Sequence, residues 1–165
     1  MLRNIILTLI FISSYTLSTQ AQVRYAIRSS EKEFQGKVSE LYTKYKTDGF
    51  VTYKGGNLDM ERSTEFPIFV ELKEGNWYQF VVVGDPEATK FEMKLGLEGV
   101  GDFITDKFRP EVTNEFWTQF AFICPRSGRY LLTFYQRGPK KEMLGHVGIL
   151  QRPARTNNGV YSFKL

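Results

Sequence analysis

The segment FWTQFAFICP, residues 116–125, is typical of a β-strand that is apolar on both of its faces. Successive side chains of an extended strand point to opposite sides, so Phe120 and Phe122 lie on one face while Trp117 and Ile123 lie on the other. An antiparallel sheet in a small domain usually has one face on the core and one in water. We therefore expect something to cover the second face of this strand.

A second segment, NWYQFVVV (76–83), repeats the Trp-x-Gln-Phe pattern of FWTQFAFI (116–123). If Phe80 and Phe120 are core residues, alternation places Phe116 in the core as well and turns every second residue outward. The outward aromatic and amide side chains are then Trp77, Gln79, Trp117 and Gln119. Two neighbouring strands of this kind would form one exposed apolar patch, a feature that marks a binding site or needs a cover.

The chain offers its own cover in the segment 29–49, which has apolar residues at helical spacing. The stripe consists of Phe34, Val38, Leu41 and Tyr45. Ser30 followed by Glu33 predicts a capping box at the start of the helix, and Gly49 predicts its end. We expect this amphipathic helix to pack on the patch, with Trp77, Val81, Val83, Trp117, Ala121 and Ile123 beneath it.

After Gly49 the apolar period changes from helical to two, with Gly, Pro and Asn turns about every ten residues. The expected strands are 50–54, 58–63, 66–72, 77–84, 90–98, 102–108, 115–124, 129–136 and 142–151, with GGN (55–57) as a turn. The pattern predicts a mainly β protein, an antiparallel jelly-roll-like β-sandwich of about eight strands with one N-terminal helix. The expected division is a signal peptide at 1–21, an N-terminal segment with the helix at 22–49 and the sandwich at 50–165.

The first 21 residues have the order of a secretory signal peptide: Arg3, an apolar run, and Thr19 and Ala21 before a cut at Gln22. The alternative is a buried N-terminal strand. The apolar run is shorter than the roughly 20 residues that span a bilayer. We expect an exported protein that does not span the membrane and that acts in the periplasm or at the cell surface.

The chain has one cysteine, Cys124, and one histidine, His146, and both lie in strand-like segments. A disulfide is excluded within one chain, and a Cys nucleophile would need His146 as its base. We predict no enzyme activity, no cofactor and no metal site. A carboxylate pair stays open among the acids in loops or at strand ends, which are Asp85, Glu87, Asp102, Asp106 and Glu111. A calcium site formed by Glu98, Asp102 and backbone carbonyls also stays open.

Positive charge is concentrated at the end of the chain, where residues 124–165 hold eight Lys and Arg against the single acid Glu142. Turns in an antiparallel fold alternate between the two ends, which groups four arginines at one end. The candidate partner-contact residues are Arg126, Arg129, Arg152 and Arg155. The alternative is loop charge that meets acidic loops of the same domain. The basic residues do not interleave with the aromatic ones, so nucleic-acid binding is not expected.

The segments 71–98 (ELKEGNWYQFVVVGDPEATKFEMKLGLE) and 116–135 (FWTQFAFICPRSGRYLLTFY) resemble the bacterial pre-peptidase C-terminal type of β-sandwich domain over about residues 70–136. The chain has Lys90-Phe91-Glu92-Met93 where such domains have an Asp-x-Asp-Leu segment. The resemblance implies a non-catalytic accessory or binding module. We predict docking on a protein partner in the cell envelope, with carbohydrate binding through Trp77 and Trp117 as the alternative.

Overall fold

The computed structural model describes residues 29–61, 63–152, 154–155 and 161–162, and within them two four-stranded antiparallel sheets face each other. The first sheet has the order β1-β8-β3-β6 and the second β2-β7-β4-β5. This order is that of a jelly roll, so the predicted fold class is confirmed. The strands are β1 (Val51–Glu61), β2 (Glu65–Leu72), β3 (Trp77–Val83), β4 (Lys90–Leu97), β5 (Gly101–Phe108), β6 (Trp117–Ile123), β7 (Gly128–Arg137) and β8 (Glu142–Arg152), with a short pair β9 (Ala154–Arg155) and β10 (Tyr161–Ser162).

The glycine pair in β1 is part of a strand and not a turn, which corrects the expected break at 55–57. β1 pairs with β8 from Val51 to Glu61, with one register shift between Thr52 and Lys54. Neither Gly55 nor Gly56 has a positive φ. Without side chains, Gly55 leaves space on the outer face of the sheet and Gly56 leaves space on the inner face.

The core lies between the two sheets, where the inward residues of both alternate as expected. Phe80 and Phe120 face each other across β3 and β6 with ring centroids 4.7 Å apart. The buried residues of this core include Met60, Val70, Leu72, Tyr78, Phe80, Val82, Phe91, Met93, Leu95, Phe122, Cys124, Tyr130, Leu132, Phe134, Val147 and Ile149.

The N-terminal helix, α1 (Ser29–Thr47), is present as predicted, but its start differs. Ser30 lies inside the first turn, so it is not the N-cap that the Ser30–Glu33 capping box requires. The end is as expected. Gly49 has φ of +82°, and the amide of Phe50 donates to the carbonyl oxygen of Tyr45 at 3.0 Å. This is the left-handed glycine stop of many helices.

Helix α1 packs on the outer face of the first sheet, and its N-terminal end lies near Lys140. A second buried cluster joins the helix, the loop after it and the sheet: Phe34, Leu41, Tyr45, Phe50, Val81, Val83, Phe116 and Leu150, with Val38, Tyr42, Trp117 and Leu144 at its margin. Phe116 was expected in the inner core. It precedes the first residue of β6, so strand alternation does not apply to it, and it turns toward the helix instead.

A four-residue helix, α2 (Pro110–Thr113), links β5 to β6. The predicted signal peptide at 1–21 lies outside the described residues. Among the described helices, none combines the length and the apolar character that crossing a membrane requires.

Candidate functional site

At the end of β3 where Val83 lies, the first sheet is joined to α1 by a partly buried polar contact around His146. The ring lies 7% exposed on β8, and its Nδ1 is 2.7 Å from Oδ1 of Asn57 on β1. Its Nε2 is 3.1 Å from the hydroxyl of Tyr42 on α1. An Asn oxygen only accepts, so Nδ1 carries the proton and Nε2 accepts from Tyr42. The contact therefore holds a neutral imidazole between helix and sheet.

Two glycines on the sheet make room for the Tyr42 side chain. A Cβ at Gly148 would lie 2.4 Å from the Tyr42 hydroxyl oxygen, and one at Gly55 would lie 2.8 Å from it. Both distances are far below van der Waals contact, so any side chain at either position would displace the tyrosine. The helix thus sits closer to β1 and β8 than it could over alanine. The sequence pattern did not identify Tyr42 and Asn57 as partners of His146. A tyrosine beside the apolar stripe of a helix does not indicate which residue of the sheet it contacts.

Burial lowers the pKa of His146 from 6.5 to about 4. A charged imidazolium would lose its water without gaining a counter-charge, because its two ring partners are neutral. Burial likewise raises the pKa of Tyr42. Neither group is charged at neutral pH, which fits a structural contact.

The other end of the same outer face is open. Strand register aligns Arg152 of β8 and Ile123 of β6 on either side of Trp77 of β3. We call these three residues the tryptophan row. Ile123 is 67% and Trp77 38% exposed, because α1 ends at Thr47 before it reaches them. The expectation that the helix covers Ile123 and Trp77 is therefore wrong, as it is for exposed Ala121.

The ring of Trp77 is held from two sides. Phe50, just after α1, meets it edge to face with centroids 5.4 Å apart. The Arg152 guanidinium lies 5.5 Å from the Trp77 ring centroid and 5.9 Å from that of Phe50. Arg152 makes no ion pair with the carboxylates that the structure describes. Part of the ring and the guanidinium donors thus remain available to a partner.

The four Trp and Gln residues of the expected patch do not lie together. β3 and β6 are neighbours, but they run antiparallel, and each tryptophan is the first residue of its strand. Trp77 therefore pairs with Ile123 and Trp117 with Val83, which separates them by roughly 20 Å along the sheet. Trp117 is half-buried, with the Lys37 ammonium 4.9 Å from its ring centroid. Gln79 is buried, and Gln119 accepts a hydrogen bond from the Tyr45 hydroxyl.

The arginines share one end of the sandwich but not one face. Arg126 lies in the exposed turn between β6 and β7. Arg129 lies on the outer face of the second sheet, with its guanidinium 4.1 Å from the Phe69 ring centroid and 3.8 Å from Glu98. Arg152 lies on the outer face of the first sheet. The Arg155 backbone belongs to β9, and its side chain is outside the described residues. The structure thus groups Arg152, and not the four arginines together, with Trp77.

Two of the predicted acids, Asp85 and Asp106, make hydrogen bonds within the fold. Asp85 is buried and accepts hydrogen bonds from Lys140 at 3.2 Å and from the amide of Leu144 at 3.2 Å. Burial lowers the pKa of Lys140, but its contacts with Glu87 and Asp85 outweigh this and raise it above its ordinary value. Asp106 accepts from the Thr118 hydroxyl at 2.5 Å. The described residues contain no group of three or more acids, His or Cys placed for a metal ion, Glu98 and Asp102 included.

Cys124 and His146 lie far apart on opposite faces of the first sheet. Cys124 belongs to the inner core, with its Sγ 3.1 Å from the carbonyl oxygen of Arg126. It follows Ile123, which pairs with Trp77, whereas His146 pairs with Val83. The separation along β3 is roughly 20 Å. His146 therefore cannot serve as a base for the thiol.

No family model matches the chain, and no curated protein matches it significantly. Among solved structures, a periplasmic inhibitor of g-type lysozyme from Aeromonas hydrophila, PliG, is 14% identical over 58% of this chain and 84% of its own, with a TM-score of 0.42. A structure described as CBM4 is 10% identical over 63% and 79%, with a TM-score of 0.38. TmCBM61, in complex with β-1,4-galactotriose, is 18% identical over 58% and 67%, with a TM-score of 0.34. Likeness at this level carries no functional argument.

Proposed function

We propose that this protein is a non-catalytic binding module that docks on a protein partner through the tryptophan row. The observation that carries the proposal is the row itself: an aromatic, an aliphatic and an arginine side chain lie side by side where the helix cover ends. Ile123 is 67% and Trp77 38% exposed, whereas Val81 and Val83, farther along the same face of the sheet, are buried beneath α1. Trp and Arg are the residue types that most often dominate the binding energy of protein interfaces.

The row is held in place before any partner arrives. Phe50 and Arg152 fix the Trp77 ring, and the rigid sheet fixes the spacing of the three side chains. Less conformational freedom is then lost on binding. Because the Arg152 guanidinium has no acidic partner among the described residues, the partner we expect presents a carboxylate beside an apolar side chain.

The absence of catalysis in this proposal rests on the separation of Cys124 from His146 and on the structural use of Asp85 in a buried ion pair. The proposed place of action is the periplasm or the cell surface. That part rests on the signal-peptide pattern of residues 1–21. The resemblance to the pre-peptidase C-terminal type of domain stays a prediction.

Carbohydrate binding is the competing function. A sugar would stack on an exposed tryptophan, but the two tryptophans lie at opposite ends of the sheet and Trp117 is half-buried beneath Lys37. Trp77 alone offers part of one ring. The row therefore fits a protein contact better than a two-tryptophan sugar platform.

Site-specific photo-crosslinking in the native host tests this proposal. We expect a photoreactive residue at position 123 to form a covalent adduct with one protein. The same residue at Val112, which is 75% exposed on α2, should not form that adduct. Arg152→Glu should reduce the yield of this adduct. Added salt should also reduce the yield in the wild type, because the contact between Arg152 and a carboxylate is exposed to screening.

Adducts of equal yield from positions 123 and 112, or no adduct from 123, would contradict the proposal. Binding of the purified protein to a glycan that Trp77→Ala abolishes, without any protein adduct, would replace it with the carbohydrate function.

A further inference from the structure

The side of the sandwich, away from the tryptophan row, contains a cleft. β1 and β2 are edge strands of different sheets, and between them a cleft of about 340 Å³ opens toward the core. Its walls are Lys54, Gly55, Gly56, Leu58, Phe66, Pro67, Ile68, Phe69, Val147 and Ile149. An engineered cavity of about 150 Å³ with a similar apolar lining binds benzene. The cleft is therefore large enough for a small apolar ligand.

Gly56 leaves part of the cleft open because it has no side chain. Gly56 pairs with Val147, whose side chain faces the core. In a sheet, paired residues point to the same face, so a side chain at position 56 would enter the space between the sheets. A Cβ built on Gly56 meets no atom within 4 Å. Its neighbour Gly55 points the other way, beneath Tyr42.

Lys54 is the one charged residue among those that line the cleft. Its ammonium donates to the carbonyl oxygen of Phe69 at 3.1 Å, across the gap from β1 to β2. An ammonium has three donors, so one bond to a carbonyl leaves it able to bind an anion. The cleft thus combines an apolar interior with a cation at its margin.

We propose that this cleft binds a small amphipathic anion, an aliphatic chain that ends in a carboxylate. The chain would lie against Leu58, Val147 and Ile149, and the carboxylate would contact Lys54. Ligand sites of this kind are mostly apolar, with a few polar groups that fix orientation.

An added peptide strand fits this gap less well. The Tyr53 hydroxyl donates to the carbonyl oxygen of Glu71 at 2.8 Å, and the Lys54 ammonium donates to the carbonyl oxygen of Phe69. These two carbonyls on the free edge of β2 are the ones that an incoming strand would need. Strand addition would have to break both contacts first.

Titration calorimetry of the full chain with sodium decanoate, decanol and decyltrimethylammonium tests the proposal. We expect decanoate to bind most tightly and decyltrimethylammonium least. Gly56→Leu should weaken decanoate at least tenfold, because the leucine fills the cleft. Lys54→Gln should weaken decanoate several-fold and leave decanol unchanged, whereas the control Lys73→Gln should change neither.

NMR locates the ligand independently. Decanoate should shift the methyl signals of Val147 and Ile149, and not the indole signal of Trp77. If Gly56→Leu fails to fold, Gly56→Ala and Gly56→Val give a graded series at the same position. Unchanged decanoate affinity across that series, shifts confined to Trp77, or no saturable binding would overturn the proposal. So would a concentration-dependent dimer that Gly56→Leu abolishes, since the occupant would then be a second copy of the chain.

Discussion

The outer face of the first sheet has two regions that share the same strands and side-chain parity but differ in their environment. Around His146 and Val83 the face is buried beneath α1, and both ring nitrogens of His146 have hydrogen-bond partners. Around Trp77, roughly 20 Å away along β3, the face is open. Arg152, which has no described acidic partner, lies on one side of Trp77, and exposed Ile123 lies on the other. Alternation tells which residues point outward, but the length and end of α1 decide which of them are covered.

The largest expected difference between the two regions is in their contribution to stability. Phe34 on α1 is 1% exposed, so Phe34→Ala should lower the free energy of unfolding by about 3–5 kcal/mol. Ile123→Ala, the matched truncation in the open region, should change it by less than about 0.5 kcal/mol. Urea unfolding followed by circular dichroism measures both. Similar losses for the two variants would mean that the covered and open regions do not differ as described.

The fold could be predicted from the sequence because the patterns that indicate it are local. Alternation in 90–98, the turns about every ten residues and the helical stripe that includes Phe34 and Leu41 each depend on neighbours along the chain. The same reasoning placed His146 in a strand, where it is found, whereas Cys124 comes just after the last residue of β6.

The residues of the candidate site were harder to predict, because strand pairing decides which of them lie together. The two Trp-x-Gln-Phe segments are neighbours, but antiparallel pairing sends Trp77 and Trp117 to opposite ends. The Tyr42–His146 contact joins residues 104 positions apart, and no sequence feature near either residue indicates this contact. The glycines at 55 and 56 look like a turn in sequence, whereas one accommodates Tyr42 and the other opens the cleft.

The covered region should also respond to acid. Burial lowers the folded-state pKa of His146 to about 4, below the value near 6.5 of an unfolded chain. The unfolded state then binds more protons between these two values, so stability falls as the pH drops through 6.5 and stops falling below about 4. The loss should reach up to about 3 kcal/mol.

The control for this effect is His146→Asn, which removes the titrating group. Unfolding free energies measured from pH 7.5 to 4 should show a steeper decline in the wild type than in the variant, because carboxylates contribute equally to both. Parallel curves would show that His146 does not titrate between the folded and unfolded states, and the helix contact would then not be acid-sensitive.

The smallest expected effect is in the accessibility of the two tryptophans. Trp77 is 38% exposed and Trp117 is half-buried under Lys37, so the contrast between them is modest. Acrylamide should quench the fluorescence of Trp117→Phe, which retains Trp77, more strongly than that of Trp77→Phe. Arg152→Ala should raise the quenching of Trp77 further, because the guanidinium lies over its ring, and should leave Trp117 unchanged. Equal quenching in the two single-tryptophan variants would mean that α1 covers both ends of the sheet to the same extent. The tryptophan row would then not be an open surface distinct from the covered region.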